Sequence, residues 1–426
     1  MSKTLSERDL QVIWHPYTQM QTAPAPIGIV RGEGALLFDE AGNSYLDATS
    51  SWWVNIHGHA HPYIAEKLAA QAMQLQHCIF AGYTHPAAVN LAERLLPILP
   101  GQQKRVFYSD NGSTAVEVAI KMALQYWHNQ GIRRHKILAF EHSYHGDTFG
   151  AMSVSSRSVF TAPFNDLLFE VHFIDTPSAD NIGALKAAIQ ELGPDTIAAI
   201  IFEPLIQGAG GMLMYDAAAL DQLLQYCQQQ QVLLIADEIM TGFGRTGKNF
   251  AMENVSTAPD MVCLSKGLTG GSMALGITTC TAAIYEAFLS NDKLKTLFHG
   301  HSFTANPLAC TVALASLDLF LDPACKENRE RINRQHQQFS EKLAAYKKVK
   351  HIRLMGTIIA FEIVTEGEDN YINQLADQLH RFFRERRVML RPLGNTLYIL
   401  PPYCITDEQL GTVYESILAF LDQTKV

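Results

Sequence analysis

The chain has 426 residues, 47% of them hydrophobic, and a formal net charge of −9. That length suits two domains, or one large core with an appendage, and the interspersed charges argue against general nucleic-acid binding. Seven cysteines (Cys78, Cys227, Cys263, Cys280, Cys310, Cys325 and Cys404) are odd in number, scattered and without a CxxC pair, which fits reduced thiols in a cytoplasm rather than a disulfide framework or a zinc knuckle.

The first residues, MSKTLSERDLQVIWHPYT, contain no apolar h-region, so no signal peptide is expected. Residues 27–47 read as a hairpin with Ala41-Gly42-Asn43 near its turn. His57, His59 and His61 follow in an H-x-H-x-H spacing that a metal would accept. No second Cys, His or carboxylate group stands at a telling distance, although His299 and His301 could be proposed, and the expected metal content is none.

Next comes Ser109-Asp110-Asn111-Gly112-Ser113-Thr114, a turn of small residues leading into a helix predicted over 113–127. Val116, Ala119, Ile120, Ala123, Leu124 and Trp127 form its apolar face, and Thr114 with Glu117 is expected to make a capping box. The free N–H groups of such a helix start suit a phosphate. Short apolar runs at 137–140, 197–202, 232–236 and 261–264 read as parallel strands covered on both faces, with helical patterns between them, as at 216–229. The alternation predicts an α/β fold with a mostly parallel central sheet.

Two of those runs end in chemistry. The run at 232–236 ends in Asp237-Glu238, and the run at 261–264 leads to Lys266 beside Gly267. A lysine and a carboxylate, each at the end of a buried strand, suit pyridoxal phosphate, the amine holding its aldehyde covalently and the acid keeping its ring nitrogen protonated. Burial would lower the lysine's pKa and favour exchange. Tyr144, after the strand at 137–140, would stack on the ring. Gly242 to Lys248 matches GxxxxGK, but Asn249 stands where a phosphate-binding loop needs Ser or Thr, so no nucleotide site is expected there. The stretch from about Met273 to Leu289 holds three threonines and Glu286 and is not expected to span a membrane. Residues 326–347 are helical and charged, and 352–364 and 387–400 resemble strands. A large domain at 60–319 and a smaller α+β domain built from 1–59 and 320–426 are expected.

The motifs WHPYT at 14–18, SSWW at 50–53, MALQYW at 122–127, YHGDTFGAMSV at 144–154, ADEIMTGFGRTGK at 236–248, SKGLTGG at 265–271 and RPLG at 391–394 together resemble the class III, fold-type I pyridoxal phosphate aminotransferases. The resemblance covers nearly the whole chain, roughly Trp14 to Pro402. It implies that Lys266 attaches the cofactor and moves the substrate proton, that Asp237 pairs with the pyridinium, that Gly112 and Ser113 hold the phosphate, and that Tyr144 covers a ring face. It implies a homodimer in which His301 and Ser302 reach the neighbouring subunit's cofactor. Tyr17, Trp52, Trp53, Asp147, Gly300, Arg391 and Tyr398 would form the substrate pocket, with Asp147 near the amine end and Arg391 on a carboxylate.

Within the family the motifs resemble members of biotin biosynthesis that act on 8-amino-7-oxononanoate. Members taking the amino group from S-adenosylmethionine usually carry Gly-Pro-Thr where this chain has Gly300-His301-Ser302, a version nearer to lysine-using members. Tyr17, Trp52-Trp53 and Tyr398 point instead to S-adenosylmethionine, the expected donor. The competing expectations are another class III enzyme of ω-amino acids or diamines, a metal-dependent hydrolase using His57, His59 and His61, and a non-catalytic scaffold, against which the intact Lys266 and Asp237 speak.

Overall fold

The computed structural model describes residues 3–364 and 374–423. Its strands are β1 (Ile29–Glu33), β2 (Leu36–Asp39), β3 (Ser44–Asp47), β4 (Gln103–Ser109), β5 (Lys136–Phe140), β6 (His172–Ile174), β7 (Ile197–Phe202) and the short pair β8 (Ile206–Gln207) and β9 (Leu213–Met214). They continue with β10 (Leu233–Asp237), β11 (Met261–Leu264), β12 (Gly276–Thr281), β13 (Val349–Met355), β14 (Ile358–Ile363), β15 (Val388–Met389) and β16 (Thr396–Ile399). The central sheet has the order β4-β12-β11-β10-β7-β5-β6. β6, β5, β7, β10 and β11 pair in parallel, and β12 runs against both of its neighbours, giving the mostly parallel sheet expected.

The apolar runs become strands because both of their faces are covered. In β5, Ile137 and Ala139 join Val116, Ala119, Ile120 and Trp127 of the helix Gly112–Asn129. Leu138 and Phe140 point the other way, into a cluster with Leu220, Leu223 and Leu224 of the helix Ala217–Gln229. The Trp127 Nε1–H, left polar in this apolar layer, donates to the Ala198 carbonyl at 3.0 Å.

The helix Gly112–Asn129 begins differently from expectation. Asn111 is its N-cap, accepting from the Thr114 N–H, while the Thr114 hydroxyl accepts the Asn111 N–H. A Thr114–Glu117 box does not form. Asn is the stronger cap at this position, and Glu117 is turned to Thr148 Oγ1 (2.6 Å) and the Gly150 N–H (2.8 Å).

Residues 27–47 form a three-stranded meander rather than one hairpin; Ala41-Gly42-Asn43 joins β2 to β3, where Asp39 Oδ1 accepts the N–H groups of Ala41 and Asn43. β15 adds to β3 in parallel. The strand-like stretch 352–364 is a hairpin, β13 and β14, turning at Gly356 with φ +57°. The stretch 387–400 divides into β15 and β16, and the loop between them carries Arg391. Among the described residues no single helix is long and apolar enough to cross a membrane.

Candidate active site

Asp237 ends β10, and Lys266 stands two residues beyond β11, its parallel neighbour. Both therefore reach the carboxyl edge of the sheet, where α/β sheets open their ligand clefts. A cavity of about 600 Å³ lies at that edge, and Trp53, Gly112, Ser113, Tyr144, Asp147, Asp237 and Lys266 all line it.

Asp237 is buried, with Oδ2 at 2.7 Å from His145 Nδ1 and Oδ1 accepting the Ile239 N–H. Lys266 has φ +47°, a left-handed conformation that a side chain tolerates only where its surroundings hold it. Ser265 fixes the approach by donating its hydroxyl to the Leu275 carbonyl at 2.7 Å. Burial lowers the Lys266 pKa to about 8, partly offset by the negative charges of Asp237 and Glu203. The amine is thus partly neutral near neutral pH, the form that attacks a carbonyl.

Glu203 and His145 line the same cavity and are candidate site residues that the sequence reading does not single out. Glu203 Oε1 accepts the Tyr144 N–H at 3.0 Å and Oε2 the Gly208 N–H at 2.9 Å, and burial pushes its pKa to about 7. The signal was present: an acid directly follows the wholly apolar run Ile197–Phe202, as Asp237 ends β10. His145 lies in the same segment as Tyr144, but its pairing with Asp237 spans 92 residues.

The helix start is shaped to receive an anion. The first intrahelical bond runs from the Ala115 N–H to Asn111, so the Gly112 and Ser113 N–H groups precede the helical ladder. Ser113 Oγ accepts the Asp147 N–H at 3.1 Å. Gly146, with φ +131°, makes this approach possible, since a Cβ there would stand 1.9 Å from Ser113 Oγ.

Of the remaining predicted residues, Tyr17, Trp52, Arg391 and Tyr398 do not line the cavity but are joined to its Asp147 and Trp53 by two chains of contact. Tyr17 Oη donates to Asp147 Oδ2 at 2.5 Å, Tyr17 packs edge-on against Trp52 with ring centres 5.4 Å apart, and the Arg391 guanidinium lies 4.6 Å over the Trp52 ring. Opposite, Lys266 Nζ stands 4.6 Å from the Trp53 ring centre, and Trp53 Nε1 donates to Tyr398 Oη at 2.9 Å. Trp53 is buried while Trp52 is 40% exposed, so only Trp53 lines the cavity. Their divergence arises in a strained turn, Ser50–Trp53, not in a strand.

Gly300, His301 and Ser302 lie outside this cavity. Gly300 and Ser302 are exposed, and His301 is half-buried against His299, with Nε2 atoms 3.1 Å apart. The three histidines of the H-x-H-x-H spacing do not converge. His57 Nε2 meets Ser316 Oγ and His59 Nε2 meets Asp47, and no group of three or more His, Cys, Asp or Glu suited to a metal occurs among the described residues. The GxxxxGK segment is packed instead of open, with Arg245 buried and donating to the Pro401 carbonyl.

The donor set fits pyridoxal phosphate. A buried carboxylate, an amine of lowered pKa, an aromatic residue and a helix start with free N–H groups line one cavity. Known proteins agree. The family described as aminotransferase class-III matches residues 17–421. The adenosylmethionine-8-amino-7-oxononanoate aminotransferase of Synechococcus elongatus is 48% identical over 420 residues, covering 96% of this chain and 98% of that protein. The crystal structure of the enzyme of the same name from Methanocaldococcus jannaschii superposes with a TM-score of 0.95 at 34% identity, covering 99% of both chains. An omega transaminase from Pseudomonas jessenii, solved in complex with PMP, reaches 0.92 at 25% identity over 99% of this chain and 98% of that one.

Proposed function

This chain belongs to the class-III aminotransferase family, and from that premise we propose that it converts 8-amino-7-oxononanoate to 7,8-diaminononanoate in biotin biosynthesis, with S-adenosylmethionine as amino donor. It is a pyridoxal phosphate enzyme. Its relatives' names support the substrate pair, and the observation that carries it here is the contact chain Asp147–Tyr17–Trp52–Arg391. A carboxylate and a guanidinium separated by two aromatic rings match a substrate with an amine near one end, a carboxylate at the other and an aliphatic chain between.

When bound, pyridoxal phosphate supplies an electron sink through which a carbon-bound hydrogen leaves as a proton. Gly112 and Ser113 hold its phosphate, Tyr144 covers its ring and Asp237 holds a proton on its ring nitrogen. Lys266 Nζ moves the proton at the amine-bearing carbon. Trp53 walls the cavity beside that amine and limits water there. Donor and acceptor use the same cavity in turn, which gives ping-pong kinetics.

We assign His301 and Ser302 to the neighbouring subunit's cofactor phosphate, Gly300 to its substrate edge, and hence a homodimer, in the cytoplasm. The exposure of Gly300 and Ser302 in one chain supports this assignment.

The donor is tested by mixing the holoenzyme with each candidate amine and following the cofactor's absorbance. S-adenosylmethionine is expected to bleach the visible band of the bound aldehyde form in a half-reaction, and lysine to leave it. Bleaching by lysine or a diamine alone would overturn the donor. Arg391→Ala is expected to lower kcat/KM for the amino-oxo acid by about 10- to 150-fold, the equivalent of a lost charge-assisted hydrogen bond of about 1.5–3 kcal/mol. Stopped-flow traces of the two half-reactions check this, and an equal loss in both would remove carboxylate recognition from Arg391.

A further inference from the structure

We propose that Asp47 is a positioning residue for substrate, its buried carboxylate holding the strained turn that sends Trp53 into the cavity and Trp52 toward Arg391. The role rests on the reaction proposed above, since it concerns the walls of that reaction's pocket.

Ser50, Ser51 and Trp53 have φ of +52°, +58° and +65°, and Trp52 between them has φ −118° and ψ 57°. None of the four is glycine, so each left-handed residue is strained and persists only if its surroundings over-determine it. A relaxed extended segment would send adjacent side chains to opposite faces without aiming either one.

Asp47 supplies the constraint. It ends β3 with its side chain wholly buried. Oδ1 accepts the N–H groups of Thr49 (3.1 Å) and Ser51 (2.9 Å). Oδ2 accepts the Ser51 N–H (2.8 Å) and the Ser51 hydroxyl (3.3 Å), and lies 2.9 Å from His59 Nε2. Ser50 Oγ donates to the Leu400 carbonyl at 2.8 Å, and the Ala48 N–H to the Met389 carbonyl at 3.2 Å. The turn is therefore tied to the two segments that carry Tyr398 and Arg391. No atom of Asp47 lines the cavity; it acts through the tryptophans.

The test compares the wild-type holoenzyme with Asp47→Asn and with the double variant Asp47→Asn/Ser51→Gly. Asparagine keeps the shape and one acceptor but replaces the second oxygen with a donor facing the Ser51 N–H. Asp47→Asn is expected to raise KM for the amino-oxo acid about tenfold or more, to change kcat by less than about threefold, and to shift tryptophan emission. Borohydride trapping of the cofactor on Lys266 stays at the wild-type level. Glycine adopts φ +58° without strain, so the double variant regains at least about a third of the lost affinity. An unchanged KM, a parallel loss of cofactor trapping, or no regain in the double variant overturns the role. If the wild type itself does not turn over the amino-oxo acid, the proposed reaction fails. Asp47 is then read from emission alone, where a spectrum unmoved in Asp47→Asn overturns it.

Discussion

Lys266→Ala is expected to lower turnover by at least about 10⁴-fold while the protein still takes up pyridoxal phosphate without a covalent link. The size follows from what leaves with the side chain. Lys266 is the amine in the cavity with access to both Asp237 and the Trp53 ring, and burial holds its pKa at about 8. Alanine removes both the covalent anchor and the group that carries the proton, and nothing beside it substitutes. Glu203 is engaged by the Tyr144 and Gly208 N–H groups, and Asp237 by His145 and Ile239. Uptake survives because Gly112, Ser113, Tyr144 and Asp237 sit on other elements. Borohydride reduction and peptide mapping separate the two effects. The wild type is expected to carry label on the peptide containing Lys266, and the variant none, although equilibrium dialysis still shows bound cofactor. Label on another lysine, or normal turnover, refutes the role. Alanine keeps the Cβ, and so the backbone at φ +47° is no more strained than before, while a desolvated amine is removed; the melting temperature without cofactor is therefore not expected to fall, which keeps loss of chemistry distinct from loss of fold.

The elements that were legible in the sequence are those whose signal is local. Ile197–Phe202 and Met261–Leu264 are strands with the boundaries that their apolar runs predict, because a strand buried on both faces carries no alternation to misread. Asp237 and Lys266 were legible for the same reason, as polar residues directly after such runs. The failures are cases where a tertiary contact decided between local options. Thr114 has a glutamate three residues later and so carries the pattern of a cap, yet Asn111 takes the cap and Glu117 is drawn to 148–150. The hairpin at Gly356 carries the pattern of one strand because apolar residues continue through it. His57, His59 and His61 share a spacing but not a direction, since the segment holding them is irregular and His57 and His59 are drawn to Ser316 and Asp47. The wall of the pocket was the least legible. Tyr17 and Asp147 are 130 residues apart and Trp53 and Tyr398 345 apart, so only the family resemblance named them together.

Asp237→Asn is the second change with a large expected effect, a fall in kcat of about 10²- to 10³-fold, the scale of losing one preorganised electrostatic contact at the reacting centre. The substitution is nearly isosteric, so the cavity and the phosphate seat stay as they are, and an amide has no negative charge with which to hold a proton on a pyridine nitrogen. His145 makes the change sharper. Its Nδ1 lies 2.7 Å from Asp237 Oδ2, and its Nε2 is buried with no hydrogen-bond partner among the described residues. Beside a carboxylate, Nδ1 carries the hydrogen and Nε2 is left as an acceptor. Beside an amide that turns its NH₂ toward Nδ1, the hydrogen moves to Nε2, where a buried donor stands unpaired at a cost of about 1–3 kcal/mol. The variant is thus expected to melt lower and to turn over slowly, with the two effects separable by His145→Ala. That change removes the unpaired donor and restores part of the stability of Asp237→Asn without restoring its rate. Calorimetry and steady-state kinetics on the single and double variants check this. A double variant that recovers kcat along with stability would mean that the charge on Asp237 serves packing and not the cofactor ring.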